Sequence, residues 1–508
     1  MPATVLSAAR LGMDARTVTV EVDVSAGLHA FNIVGLPDKS VDEAKERISS
    51  ALKNTGFKPP RAFSKRVTVN LAPADIKKEG SMYDVPMALG FLIGSEQVRA
   101  DMSSALIVGE LGLGGDVRPI HGALLYALHA RHAGIPTIIV PLANAAEASL
   151  ARGISVIGVA TLTELVDHIE QRRVLASFTA TPTKPLPLLY EEDFALIQGQ
   201  EGAKHALELA ASGGHHVLFT GPPGAGKTLL ARAMRSILPP LSYEEAVEVT
   251  KIESICGTLL PEQPLLSERP FRAPHHASSE AALLGGHALA PGEITRAHRG
   301  ILFLDEFPEF HRDVLESLRQ PLEQGSIALS RAQGSITYPA RFLLIAAANP
   351  CQCGYLGDPG RPCSCTMGSI IRYQRKLSGP VADRIDLHVR LPRQPFEKLS
   401  SPVAGEPSSA IAIRVAKARG IQTRRFAEEK IFTNGEMTVR HIKKYCGIDE
   451  KSSRLLAATM EKYRLSARAY HSILKVARTS ADIAEREHIA WEDIALAVQY
   501  AKRDEQTW

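Results

Sequence analysis

The stretch His216-Val-Leu-Phe-Thr-Gly-Pro-Pro-Gly-Ala-Gly-Lys-Thr-Leu-Leu-Ala-Arg-Ala-Met234 decides the fold of the central part of this chain. An apolar run leads into a loop with the spacing G-x-x-x-x-G-K-T, and a helix-like stretch follows the loop. Strand, glycine loop and helix in this order are typical of phosphate loops. Glycines let backbone N–H groups and the helix N-terminus approach an anion closely. We therefore predict a site for a nucleoside triphosphate; a chance glycine turn is the alternative.

The loop residues are predicted to contact the nucleotide, with ATP and Mg²⁺ as cofactors. Backbone N–H groups would hold the phosphates, Lys227 would add a positive charge, and Thr228 would offer an oxygen to Mg²⁺. The predicted contacts are Gly221, Pro222, Pro223, Gly224, Ala225, Gly226, Lys227 and Thr228.

The composition indicates a soluble globular protein. Of 508 residues, 45% are hydrophobic and 22% are charged, and the length favours several domains. The longest apolar runs, such as 342–348, fall well short of the roughly 18 residues that indicate a membrane span. We therefore predict a cytoplasmic protein with no membrane partner. A net charge of +4 permits nucleic-acid binding through local patches without arguing for it.

Two stretches rich in proline and small polar residues, 177–189 and 399–409, are predicted to be linkers. They divide the chain into 1–176, 190–398 and 410–508. Alternating apolar residues and helix-like runs predict an α/β fold for the first part. Buried strands alternating with helices predict a parallel sheet around the phosphate loop in the second part. The third part reads as helical throughout, with scattered Lys and Arg.

Polar side chains follow two apolar runs of the second part. Asp305 and Glu306 come directly after the run 301–304, and Asn349 follows the run 342–348. Parallel strands deliver such residues to the sheet edge at which the phosphate loop also lies. Asp305 could hold Mg²⁺, Glu306 could polarise the attacking water, and Asn349 could hold that water from the other side. A plain strand end is the alternative.

Four of the six cysteines stand close together as two Cys-x-Cys pairs: Cys351, Cys353, Cys363 and Cys365. Four thiolates can enclose a tetrahedral Zn²⁺, and four ligands leave no position open for water. We predict a structural zinc site in an insertion spanning residues 351–365. Four free thiols are the alternative.

The pattern resembles the AAA+ ATPases, in the branch that contains magnesium-chelatase ATPase subunits and MCM helicases. By this resemblance Asn349 corresponds to sensor 1, Arg384 to the arginine finger, and Arg468 to sensor 2 in a helical lid. A surface ion pair of Arg384 with Asp383 or Asp386 is the alternative. An arginine supplied to a neighbour's nucleotide implies a homo-oligomeric ring, in this family usually a hexamer.

The segment 323–339 contains two short alternating arms around a turn, which predicts a β-hairpin. It resembles the hairpin that MCM-like motors direct into the ring pore, and Arg331 takes the place of the basic residue that grips DNA. An arginine without such a contact is the alternative. We interpret the adjacent His275 and His276 as polar loop residues, since metal ligands at a suitable spacing are absent from their surroundings in the sequence.

The N-terminal part resembles the Lon protease domain, in the segments 78–84 and 119–141. Lon uses a serine nucleophile with a lysine base, but this chain has Met82 and Leu124 in those places. Ser81 stands one residue away without a matching base. This part is therefore predicted to be an inactive Lon-like (S5-like) domain, as in the RadA branch-migration protein.

The order of these parts resembles the YifB/ComM family over nearly the whole chain. That resemblance implies an ATP-driven hexameric motor that acts on single-stranded or branched DNA and moves junctions in recombination and natural transformation. Two alternatives stay open. One is a chelatase-type remodeller of a protein partner, and the other is an ATP-dependent protease, which the missing dyad disfavours.

Overall fold

The computed structural model describes residues 2–179, 190–286, 290–331, 334–377, 381–395, 405–429 and 431–501. The chain divides into two compact units. The first comprises Met1–Lys184, Tyr243–Leu266 and Ser330–Thr337, and the second comprises Pro185–Ser242, Ser267–Leu329 and Tyr338–Trp508. Most of the two predicted linkers, residues 180–189 and 399–404, lies outside the described residues.

The first unit is built on a seven-stranded mixed sheet with the order β3-β4-β2-β1-β5-β8-β9. The pairs β1–β2 and β2–β4 are antiparallel and the other pairs are parallel. Val18, Val20 and Val22 alternate with more exposed residues along β2 and face the core, as the sequence pattern predicts. The strands of this unit are β1 (Ala3–Leu11), β2 (Asp14–Ala26), β3 (Ala30–Val34), β4 (Lys65–Ala72), β5 (Met102–Ile107), β6 (Glu110–Leu111), β7 (Val117–Arg118), β8 (Thr137–Pro141) and β9 (Ser155–Val159).

Five helices complete the N-terminal part of this unit. The first begins after Asp38, whose carboxylate accepts the backbone N–H of Val41 at 2.8 Å and so caps the helix. The five are α1 (Lys39–Asn54), α2 (Asp84–Gly94), α3 (Ala123–His132), α4 (Ala145–Ala148) and α5 (Leu162–Ile169).

The second unit is built on a five-stranded parallel sheet with the order β11-β12-β15-β10-β16. Its central strands are buried along their whole length, because a parallel sheet is covered on both faces. The strands are β10 (Val217–Thr220), β11 (Phe271–Arg272), β12 (Ile301–Leu304), β15 (Leu343–Ala348) and β16 (Leu387–Arg390). The predicted hairpin forms a separate two-stranded sheet from β13 (Ser326–Arg331) and β14 (Gly334–Pro339).

Helices pack around this sheet, and the described residues of the C-terminal part form helices and their connections. Those around the sheet are α6 (Glu201–Gly213), α7 (Lys227–Ala233), α9 (Glu280–Leu284), α10 (Glu293–Arg296), α11 (Arg312–Ser317), α12 (Arg319–Gln324) and α13 (Met367–Leu377). Those of the C-terminal part are α14 (Ser408–Arg425), α15 (Val439–Tyr445), α16 (Glu450–Lys462), α17 (Ala467–Ile483) and α18 (Trp491–Tyr500). Within the described ranges, the chain has no helix both long enough and apolar enough to cross a membrane.

Helix α8 (Tyr243–Cys256) lies between β10 and β11 in the sequence but packs within the first unit. The Tyr243 hydroxyl donates to the Leu150 carbonyl at 2.7 Å, and the Arg152 guanidinium lies 3.6 Å from the Tyr243 ring centre. The Ser254 hydroxyl donates to the carboxylate of Glu147. A segment of the middle part of the chain is thus held by the N-terminal part.

Candidate active site

The phosphate loop and the polar residues after β12 and β15 meet at one edge of the parallel sheet. Strand β10 leads into the loop and α7 begins at Lys227, directly after it. Because neighbouring parallel strands run in one direction, Asp305, Glu306 and Asn349 emerge at the same edge.

The glycines of the loop leave its backbone open. Gly224 and Gly226 have φ angles of +76° and +89°, and a Cβ atom at either would have no neighbour within 4 Å. Gly221 is restricted differently, since its Cβ would lie 2.4 Å from the Leu391 carbonyl oxygen. These three positions fit a loop whose N–H groups surround a phosphate.

Lys227 lies at the centre of the site. Its Nζ donates to the Gly221 carbonyl at 2.6 Å, to the Pro222 carbonyl at 3.2 Å, and to Asn349 Oδ1 at 2.8 Å. Burial lowers the pKa of Lys227, and the carboxylates of Asp305 and Glu306 act in the opposite direction. The ammonium group is therefore held beside the loop and against Asn349.

Thr228 and Asp305 are in contact, with the Thr228 hydroxyl donating to Asp305 Oδ2 at 3.0 Å. A hydroxyl and a carboxylate are ligands suited to Mg²⁺, so these two residues fit the ion that accompanies ATP. The other Asp305 oxygen accepts the backbone N–H of Glu306 at 2.9 Å. Glu306 has a φ of +51°, a conformation that non-glycine residues adopt mainly where the surrounding structure imposes it.

His276 contacts Glu306, a contact that the sequence analysis missed. Its Nδ1 lies 2.8 Å from Glu306 Oε2, and its ring packs against His275 with 4.2 Å between centroids. The Glu306 side chain is 54% exposed. Among the contacts that the structure describes, the contact with His276 is the one that positions its carboxylate. The only signal in the sequence was a histidine pair in a polar loop, which we interpreted as having no specific role.

The four cysteines come together as the sequence analysis expected. Their Sγ atoms all lie within 4.8 Å of one another, and three of the pairs are 3.4, 3.6 and 3.5 Å apart. A Zn–S bond of about 2.3 Å in a tetrahedron requires sulfur separations of about 3.8 Å, so the donors fit a zinc ion. Burial works against the Cys353 thiolate, but N–H donors from Tyr355 and Ser364 outweigh it and lower its pKa to about 6.

This cysteine insertion packs directly on the phosphate loop. Gly354 has a φ of +86°, and a Cβ there would lie 2.7 Å from Cδ of Pro223 and 3.8 Å from Cγ of Asn349. Cys351 is also only two residues from Asn349 and is fully buried. The insertion therefore supports both the loop and the residue that holds Lys227.

Arg384 and Arg468 bind the same carboxylate, that of Glu323. Arg468 Nη2 donates to Glu323 Oε1 at 2.8 Å, and Arg384 Nη2 donates to the same oxygen. Both arginines lower the pKa of Glu323 through these hydrogen bonds. The Arg384 side chain is only 5% exposed, whereas that of Arg468 is 48% exposed. Sequence reasoning found both arginines but not the carboxylate that they share.

Asp386 links the sheet to α17. Its carboxylate accepts from His215 Nδ1 at 3.0 Å and from the Ser472 hydroxyl, while His215 Nε2 lies 2.8 Å from Thr479 Oγ1. Burial raises the pKa of Asp386, but His215, Lys475 and Ser472 outweigh it and hold that pKa well below its usual range. This network fixes the start of β16, near Arg384, against the helix that carries Arg468.

Arg331 is the last residue of β13, and its side chain lies outside the described part of the structure.

In the first unit, the two positions that the sequence analysis matched to the Lon dyad are occupied by buried apolar side chains, Met82 and Leu124. The Tyr126 hydroxyl contacts the Met82 sulfur at 3.0 Å, and Leu124 is fully buried. The neighbouring Ser81 hydroxyl donates to the Glu110 carboxylate. The described contacts of these positions are therefore apolar packing and a serine–carboxylate hydrogen bond.

Comparisons with known proteins match all three parts of the chain to magnesium-chelatase families. The family described as magnesium chelatase, subunit ChlI, matches residues 193–399. The family of subunit ChlI of Mg-chelatase matches 20–144, and that of the ChlI C-terminal region matches 405–501.

Individual relatives match over nearly the full length. YifB of Salmonella typhimurium is 43% identical over 511 residues, covering 98% of this chain and 96% of the relative. Competence protein ComM of Haemophilus influenzae is 40% identical, covering 98% and 97%. The magnesium-chelatase 38 kDa subunit of Cereibacter sphaeroides is 30% identical over 184 residues, covering 33% of this chain and 53% of that subunit.

Proposed function

The chain belongs to the magnesium-chelatase-like YifB/ComM family of AAA+ proteins, and from this premise we propose that it is an ATP-driven motor on DNA. The proposal is of a homo-oligomeric ring, a hexamer, that moves along single-stranded or branched DNA and displaces junctions. Its domains would be an inactive Lon-like part at 1–176, an ATPase core at 190–398 and a helical lid at 410–508.

One observation carries the ATPase part of the proposal. Beside a glycine loop at one sheet edge, Lys227 is hydrogen-bonded to Asn349, and the next residue, Thr228, is hydrogen-bonded to Asp305. A bound Mg²⁺ would neutralise charge on the phosphates. Lys227 would hold the phosphates, Asn349 would position the water, and Glu306 would polarise it. Phosphoryl transfer needs mainly such positioning and charge, which this arrangement supplies.

We propose a ring because Lys227 is the one cation that the contacts described above place at the candidate nucleotide site of a single chain. A second positive charge for the transition state would then come from a neighbouring subunit. Arg384 would reach the nucleotide of the neighbouring subunit after leaving Glu323, and Arg468 would act from the lid. A test is a mixture of two inactive variants, Arg384→Ala and Glu306→Gln. Subunit interfaces that pair an intact Glu306 with an intact Arg384 should regain hydrolysis. Confirmed mixed rings without recovery would contradict a role in a neighbouring site.

A structural Zn²⁺ at Cys351, Cys353, Cys363 and Cys365 belongs to the same proposal. The ion would hold the insertion in shape, and through Gly354 and Pro223 the insertion would hold the phosphate loop. No chemical step passes through this ion, because four thiolates complete a tetrahedral site.

DNA is proposed as the substrate because a hairpin with a basic residue at its end, Arg331, precedes the sensor strand β15. One full-length relative is named a competence protein, which favours DNA over a protein substrate. The alternative, remodelling of a protein partner, is favoured by the chelatase families that match the chain.

One assay separates these functions. The full chain is supplied with ATP and Mg²⁺, and hydrolysis is measured with single-stranded DNA, with a branched junction, and with an unfolded protein. We expect both DNA forms to stimulate hydrolysis and the unfolded protein to have no effect. A chain that binds no DNA at low salt with an ATP analogue would refute the motor and favour the chelatase-type remodeller.

Two variants test the residue assignments. Arg331→Ala should lose DNA-stimulated hydrolysis and junction movement, with a shallower dependence of DNA affinity on salt, since phosphate contacts are removed from every subunit. If this variant moves junctions normally, the hairpin assignment alone is wrong. Lys227→Ala should lose tight ATP binding, whereas Glu306→Gln should bind ATP without hydrolysing it.

A further inference from the structure

Three polar residues of α17, Arg468, Ser472 and Thr479, lie on one face of the helix. Their spacing of i, i+4 and i+11 brings them to the same side, because 11 residues make close to three helical turns. The Ser472 hydroxyl donates to Asp386 Oδ1, and Thr479 Oγ1 lies 2.8 Å from His215 Nε2. His215 Nδ1 in turn lies 3.0 Å from Asp386 Oδ2. The helix is thus joined to one carboxylate at two points, directly at Ser472 and through His215 at Thr479.

The same carboxylate belongs to the segment that carries the proposed arginine finger. Asp386 stands two residues after Arg384 and directly before β16. Arg384 and Arg468 donate to one oxygen of Glu323, so two arginines from separate elements converge on one anion. Their relative position depends on what joins those elements. The hydrogen bond between Ser472 and Asp386 joins them close to both arginines in the sequence.

The two anchor points of α17 differ in their distance from Arg468. At a rise of 1.5 Å per residue, Ser472 lies about 6 Å from it along the helix axis, and Thr479 lies about 16 Å from it. Without the Ser472 anchor, a rotation of α17 by about 5° around Thr479 would move the backbone of Arg468 by about 1.4 Å. The buried Ile473 and Leu474 also hold the helix, but apolar contacts are non-directional and resist a small rotation less than a hydrogen bond does.

The surroundings of Asp386 make its hydrogen bond with Ser472 a strong one. The His215 side chain is fully buried and that of Asp386 is 15% exposed. Burial raises the pKa of Asp386, but His215, Lys475 and Ser472 outweigh it, so the group is a carboxylate at neutral pH. Hydrogen bonds to an ionised acceptor are about twice as strong as those between neutral groups. Such a bond is suited to holding the angle between a helix and a strand.

Given the proposed ATPase function, on which this inference rests, we propose that Ser472 is a positioning residue for ATP hydrolysis. It would act through Arg468, by holding α17 so that this arginine stays beside Arg384, and not by touching the nucleotide. A displacement of about 1 Å in a group that acts on the reacting atoms lowers a rate by up to about 100-fold. Because a long arginine side chain recovers part of such a displacement, we expect about a tenfold loss when the anchor is removed.

Ser472→Ala in the full chain tests this proposal. Asp386 keeps its contact with His215 in this variant, so the change leaves no carboxylate without a partner. The melting temperature and the affinity for a fluorescent ATP analogue should stay close to those of the parent, because the phosphate loop is untouched. We expect kcat to fall about tenfold. Ser472→Thr retains the hydroxyl and should recover most of the lost activity.

Ser480→Ala is the matched control. The Ser480 hydroxyl donates to Asp493 Oδ1 at 2.6 Å, so this variant also removes a serine–aspartate hydrogen bond from α17. It does so about two turns further from Arg468, and Asp493 keeps Arg486 as a partner. Ser480→Ala should therefore hydrolyse ATP at close to the parent rate.

A double-variant cycle separates positioning from a general structural role. If Ser472 acts through Arg468, Ser472→Ala should have no further effect on kcat in a chain that already carries Arg468→Ala, whereas the effects of independent sites add. Additive losses, an equal loss in Ser480→Ala, or a parent rate in Ser472→Ala would each refute the positioning role and leave the ATPase function intact. A parent that hydrolyses no ATP refutes the proposed function and the role of Ser472 together.

Discussion

Glu323 competes for Arg384, and replacing it should accelerate ATP hydrolysis. The Glu323 side chain is 42% exposed, so water screens its charge even though its partner Arg384 is only 5% exposed. We take its ion pairs with Arg384 and Arg468 to contribute about 1 kcal/mol together. If Arg384 must leave Glu323 before it reaches a neighbouring nucleotide, this energy adds to the barrier. A barrier change of about 1 kcal/mol corresponds to a factor of about five in rate.

The prediction is therefore that Glu323→Gln raises kcat up to about fivefold at saturating ATP. Glu316→Gln is the control, because it removes a carboxylate from an exposed ion pair, with Arg312 at 3.0 Å, that involves neither Arg384 nor Arg468. Steady-state ATPase rates and melting temperatures of both variants decide the question. A fall in kcat of tenfold or more in Glu323→Gln, at an unchanged melting temperature, would mean that Glu323 positions Arg384 for catalysis, and the competition argument would be refuted.

His276, the four clustered cysteines, Gly354 and His216 can each be tested in the same way. His276→Ala should lower kcat about tenfold, because Glu306 loses a hydrogen bond worth about 1–1.5 kcal/mol, whereas His276→Asn should retain more activity; equal rates in both variants and the parent would leave His276 without a role. Elemental analysis should find about one zinc ion per chain in the parent and in Cys256→Ser, and none in the double variant Cys351→Ser with Cys363→Ser. Purified parent protein without zinc would refute the zinc site. Gly354→Val should raise KM for ATP while zinc is retained, since its side chain would collide with Pro223; an unchanged KM would show that the insertion does not support the loop. Burial lowers the pKa of His216 to about 4, so between pH 6.5 and 4 the unfolded chain binds a proton on this histidine that the folded chain does not bind. The free energy of unfolding should therefore fall by about 2 kcal/mol between pH 7 and 5, and unfolding curves of His216→Asn should show a smaller fall.

The sequence by itself determined the class of fold and predicted which residues form the candidate nucleotide site. The glycine spacing of 221–228, the acids after 301–304 and the amide after 342–348 are local patterns, and each lies at the end of a short buried strand. Once the strands are parallel, the geometry of a parallel sheet brings those ends to one edge, so local patterns suffice to place these residues together. The Cys-x-Cys pairs were equally visible in the sequence, because all four cysteines lie within residues 351–365.

Only the tertiary structure decided which distant side chains meet. Glu323 is 61 residues from Arg384 and 145 residues from Arg468, and no local pattern links them. The same holds for His276, which lies beside Glu306 although the two residues are far apart in the sequence. The physical reason is that secondary structure follows from neighbours along the chain, whereas these contacts depend on how whole helices and strands pack, which hydrophobic periodicity leaves open.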